Sequence, residues 1–211
     1  MSPGLLSLVQ WLSPAFPTGA FAYSHGMEWA IVQGELPDRA ALQRWLEATL
    51  RFGAGWQDAV LLAQALQPGA DHAGLDAIAR ALAPSAERLA ETLEQGTAFA
   101  LGVAAVTGRE LVPRCLPVAL GEAAAPLHLA VEQVVALSLH AFAANLVSVA
   151  VRFVPLGQSD GQAVLAALHP LIGELALAAA GATMDDIRTS TLRSDLGAMQ
   201  HETMDVRIYR T

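Results

Sequence analysis

The sequence predicts an all-α fold: a single domain over residues 1–211, a bundle of about eight to ten helices around a long buried central helix. Three observations carry this. The chain is 54% hydrophobic with a mean hydropathy of +0.40, alanine and leucine dominate, and strand-favouring residues are sparse. Apolar positions recur at helical spacing between Pro, Gly and N-cap signals. One stretch, 133–151, has no formally charged residue.

In chain order, Leu5, Leu6, Leu8, Val9 and Leu12 form an apolar helical run that Pro14 breaks. Residues 11–29 read as a stiff strap: Ser13 and Phe16 precede prolines and are driven to extended backbone, and Thr18-Gly19 signals a turn. A short helix over 22–33 follows, stopped by Gly34, with Gly26 a gap where another backbone can approach. Asp38 caps the next helix, which Gly53 and Gly55 interrupt. Helices are then expected from Trp56 to before Pro68, over 71–82, and from Ser85 onward, the last placing Leu89, Leu93, Thr97 and Ala100 on one side and Glu87, Glu91 and Glu94 on others.

Residues 108–117 read as a loop. Pro126 suits the first turn of a helix running to Val154, whose uncharged stretch is long enough to raise a membrane span. Gln133, His140, Asn145 and the bracketing Glu132 and Arg152 favour a buried bundle helix instead. Pro155-Leu156-Gly157 ends it, and Ser159 to Gln162 has capping-box spacing for an antiparallel partner that Pro170 kinks and Gly181 ends. A helix over 183–193, a last short helix capped by Ser194 or Asp195, and a loose tail over 203–211 complete the chain.

Composition also excludes chemistry. The net charge of −8 argues against nucleic acid as a partner. All twelve basic residues are Arg, so neither a Walker-type phosphate loop nor a lysine Schiff base is available. The single cysteine, Cys115, forms no intramolecular disulfide and reads as a buried, inert thiol. No basic leader precedes Trp11, which predicts no signal peptide and a cytoplasmic setting.

The six histidines lack zinc-site spacing, and no nucleophile elbow occurs. His140 and Asn145 read as satisfied polar groups in the core, with a channel lining as the lesser alternative. The strongest metal-site alternative, a metal-dependent bundle enzyme, combines His25 and Glu28 with His201 and Glu202. Adjacent residues on a helix point about a hundred degrees apart, so His201 and Glu202 cannot both aim at one ion. Polar anchoring of strap and tail is the better reading. Arg207, Tyr209 and Arg210 are of the types that dominate interfaces.

Three motifs resemble the UreF family of urease accessory proteins. The strap supplies Ser13, Pro14, Ala15, Pro17, Gly19, Ala20, Phe21, Tyr23, Ser24, Gly26 and Glu28. The mid-chain supplies Pro155, Leu156, Gly157, Gln158, Gly161 and Gln162, with Asn145 and Arg152 upstream. The end supplies Asp195, Leu196, Met199, His201, Glu202, Arg207, Ile208, Tyr209, Arg210 and Thr211. The chain departs from the family in lacking a histidine in the segments before the central helix.

The resemblance implies a dimerising, non-enzymatic chaperone that binds UreD (UreH in some organisms), recruits and regulates the GTPase UreG, and docks on apo-urease for GTP-dependent nickel incorporation. No cofactor is held stably on that reading; nickel is cargo of the complex. It also implies partner-binding roles for Phe21, Tyr23, Ser24, Gly26, Glu28, His201, Glu202, Arg207, Tyr209 and Arg210, with Tyr23 and Arg207 foremost.

Overall fold

The computed structural model describes residues 2–188 and 191–210. Met1 and Thr211, and the part of the expected 183–193 helix on Thr189 and Ser190, lie outside the described residues. Among the described residues the chain forms ten α-helices and three short 3-10 turns, with no strand. In order these are α1 (Pro3–Trp11), α2 (Met27–Val32), α3 (Arg39–Phe52), α4 (Ala54–Ala65), α5 (His72–Ala81), α6 (Ala86–Thr107), α7 (Leu116–Ala124), α8 (Val131–Phe153), α9 (Gln158–Ala180) and α10 (Leu192–His201).

Local chemistry sets most helix starts. The Ser2 hydroxyl accepts the Leu5 N–H (3.2 Å), Asp38 the Ala41 N–H (2.8 Å), Asp71 the Gly74 N–H (3.0 Å) and Ser85 the Arg88 N–H (3.1 Å). Gly108, at φ 72°, closes α6.

Four boundaries differ from the sequence reading, each for a physical reason. Helix α2 starts at Met27 because His25 and Gly26 both take left-handed backbone, with φ of 54° and 73°. Pro126 sits in a 3-10 turn, Ala125–Leu127, that finishes α7; His128, at φ 52°, separates that turn from α8. At the start of α9 the Asp160 carboxylate accepts the Gly157 N–H, so Ser159 is not the cap. Thr191, with its hydroxyl on Asp195, precedes α10, and only the 3-10 turn Met184–Asp186 forms between α9 and residue 188.

Helices α8 and α9 pack against each other through the short link at 154–157, and α3 and α4 pack on both. Their shared core includes Leu42, Leu46, Leu50, Val60, Leu139, Leu146, Leu168 and Ile172. Helix α7 lies between α4 and α6, and a smaller cluster of Leu61, Leu75, Ala79, Cys115 and Val118 sits under α5. By length and composition α8 and α9 are each apolar enough to cross a membrane. In this fold the buried apolar residues of both, Leu139, Leu146, Leu168 and Ile172 among them, pack on neighbouring helices, as a bundle core requires. Helix α9 continues through Pro170.

Gly96 fixes the approach of α6 to the loop before α7. A Cβ there would overlap the Arg114 carbonyl oxygen, a backbone atom that cannot swing aside. Gly96→Ala is expected to lower stability by about 2–3 kcal/mol, read as a fall in the urea midpoint with helical content retained. An unchanged midpoint would contradict this packing.

Candidate functional site

The polar groups of the strap and the tail converge on the first half of α6. Glu87, Glu91 and Glu94 are spaced four and three residues apart, which places them along one side of the helix. Each holds a different piece of the chain ends.

Glu91, 3% exposed, takes the strap. Its carboxylate faces His25 Nε2 at 2.7 Å, accepts from Gln95 at 2.8 Å and forms an ion pair with Arg88. Burial alone would raise the Glu91 pKa; the Arg88 guanidinium first, with the hydrogen bonds to His25 and Arg88, overcomes it and brings the value to about 2. His25 is pushed the other way, by burial first and then by the Arg88 guanidinium, whose Nη1 lies 2.9 Å from the same Nε2 that faces Glu91. The left-handed backbone of His25 turns its ring inward, edge-on to Phe142 at 4.7 Å.

Glu94 takes both ends. It accepts the Tyr23 hydroxyl at 2.7 Å and both terminal nitrogens of Arg210. The Arg210 guanidinium lies over the Tyr23 ring at 5.5 Å, and the Arg210 N–H donates to the Ala22 carbonyl at 2.8 Å. Burial and the Glu94 carboxylate raise the Tyr23 pKa, keeping the phenol protonated as a donor.

Glu87 takes the tail. It meets His201 Nδ1 at 2.8 Å and accepts from Arg207 at 2.6 Å. Glu202, exposed, accepts the Glu87 N–H at 3.2 Å and so binds a free donor in the first turn of α6.

Behind this row stands Glu28, 4% exposed, on the first turn of α2. It accepts His201 Nε2 at 2.9 Å, the Ile208 N–H at 2.8 Å and the Tyr209 N–H at 2.9 Å. Both ring nitrogens of fully buried His201 therefore face carboxylates. Ser24 accepts the Glu28 N–H at 3.3 Å. Gly26 lies against the backbone of Ser194, Gly197 and Ala198 on α10; with φ positive and a Cβ clash waiting, only glycine fits. The Tyr209 ring is buried edge-on to Phe153 at 5.2 Å.

The structure thus brings Tyr23, Ser24, Gly26, Glu28, His201, Glu202, Arg207, Tyr209 and Arg210 into one cluster. Phe21 stands apart, 64% exposed. The tail expected to be loose is docked as far as Arg210; Thr211 lies outside the described residues. Of the four residues of the metal-enzyme alternative, Glu28 and His201 meet directly, whereas His25 faces Glu91 and Glu202 accepts from the α6 backbone, so the four do not surround one point.

Sequence reasoning missed Arg88, Glu91 and Gln95, which are buried, having assigned the glutamates to sides away from the packing stripe. The helical spacing of three glutamates, four and then three residues apart, together with a strap rich in donors, was the available signal. Cys115 is buried, and burial first, then Asp76, pushes its thiol up to about 12; its backbone N–H donates to Asp76 at 2.7 Å. That agrees with an inert thiol.

The fold and the cluster define an all-helical protein in which buried ionisable groups clasp the two chain ends to one helix. The family model described as UreF matches residues 36–169. Over all 211 residues of both chains the sequence is 67% identical to urease accessory protein UreF of Cereibacter sphaeroides. It is 56% identical over 208 residues to that of Paracoccus denitrificans, covering 98% of this chain and 95% of the relative. It is 48% identical over 206 residues to that of Dinoroseobacter shibae, covering 98% of each. The chain belongs to the UreF family.

The depressed Glu91 sets an acid sensitivity. A carboxyl held at about 2, against an ordinary 4.5, stabilises the fold above pH 4.5 and loses that contribution as pH falls toward 2. Glu91→Gln is expected to melt below the parent chain at pH 7, and the gap should narrow as pH falls through this window. A gap that does not change with pH would contradict the assignment.

Proposed function

We propose that this chain is a non-enzymatic accessory scaffold for urease maturation, acting in the cytoplasm in GTP-dependent nickel incorporation. It binds UreD (or UreH), recruits and regulates the GTPase UreG, and presents the assembly, as a homodimer, to apo-urease. Nickel is cargo of that complex, and the chain keeps no cofactor of its own.

Family membership supports the maturation role, and the full-length relatives carry urease accessory names. The observation that carries the docking reading is the composite surface made by strap and tail. Buried carboxylates fix the backbone there, while Val206 and Ile208 stand 75% and 66% exposed on either side of Arg207 in the tail. Apolar side chains bordered by arginine have the composition of a protein interface. A surface already ordered before binding also loses less entropy on association.

The test is association of the purified chain with UreD. Arg207→Ala, or deletion of residues 207–211, is expected to abolish capture of UreD while the circular dichroism of the helical fold is retained. Undiminished capture by both variants would overturn the tail as the grip.

A further inference from the structure

Away from the clasp, α8 and α9 bring two histidines together. His140 on α8 and His169 on α9 have ring centroids 5.5 Å apart and planes tilted by 42°. His140 is half-buried and His169 is exposed. Neither ring has a hydrogen bond or ion pair with another described residue. Asn145, expected to share a polar core with His140, instead donates to the Ala20 carbonyl at 2.9 Å.

Two features favour this pair as a ligand set. The first is spacing. With metal–nitrogen bonds of about 2.1 Å, two imidazoles on one tetrahedral ion have ring centres roughly 5 Å apart, close to the separation found. The second is support: the two backbones belong to the most extensively packed helix pair of the fold, so little has to be reorganised.

We propose that His140 and His169 form a surface site for one divalent transition-metal ion of the nickel class, with water in the remaining positions. Two imidazole nitrogens without a carboxylate suit nickel, copper or zinc and disfavour magnesium and calcium. Two protein ligands at an open surface hold an ion exchangeably, unlike the closed four-ligand sites of structural zinc. The inference concerns the isolated chain and does not depend on the docking reading above.

The experiment is calorimetric titration of untagged full-length chain with NiCl2 at pH 7.5, with MgCl2 in parallel. One nickel per chain is expected, with affinity lowered at least roughly tenfold in both His140→Ala and His169→Ala. Because His169 is exposed, its variant keeps the fold, which circular dichroism checks. Nickel binding unchanged in either variant, absent from the parent chain, or matched by magnesium would overturn the site. Capture of UreD by the two variants separates the readings, since loss of nickel with UreD binding intact leaves the scaffold role untouched.

Discussion

Taking a carboxylate out of water costs several kcal/mol unless donors replace the water, and Glu28 is nearly fully buried. Its replacement donors come from His201 and from the backbone at Ile208 and Tyr209, more than 170 residues away in sequence. This one requirement ties the start of the chain to its end. The tail cannot leave without stranding Glu28, and α2 cannot begin elsewhere without moving it. His201 in turn needs Glu87, so the demand passes to α6.

Helix α6 meets that demand with a row of glutamates. Each spans a junction: Glu87 with the tail, Glu91 with the strap, Glu94 with both. These contacts differ in weight. Arg207 and Arg210 are largely exposed, and ion pairs of that kind contribute modestly. The buried members, Glu28, Glu91 and Arg88, set the geometry, because each would be an uncompensated charge without its neighbours. The outer arginines are thus held in place yet inexpensive to redirect toward a partner, which suits the scaffold role proposed for this UreF family member.

Much of the fold was legible in the sequence, because helix caps are local chemistry. Asp38 capped where expected, the helices expected from Asp71 and Ser85 begin one residue later with those side chains as caps, and Gly34 and Gly181 followed their helices. The strap motif also foretold the close backbone approach at Gly26. What failed depended on distant partners. His25 takes left-handed backbone because Glu91 and Phe142 hold its ring, and no spacing rule contains that. Polar residues on α6 were assigned to the outside because periodicity ranks residues by hydrophobicity and cannot see a buried charge that is matched across the chain. The tail looked loose for the same reason: its anchors are its own backbone N–H groups, which every sequence has.

The central claim is that strap and tail form one cooperative unit on α6. Native-state hydrogen exchange on the isolated chain tests it most directly. The account predicts that the amides of Ile208, Tyr209 and Arg210 are protected and open with the same free energy as those of Met27 and Glu28. Tail amides exchanging at the rate of an unstructured peptide, while the strap stays protected, would contradict it.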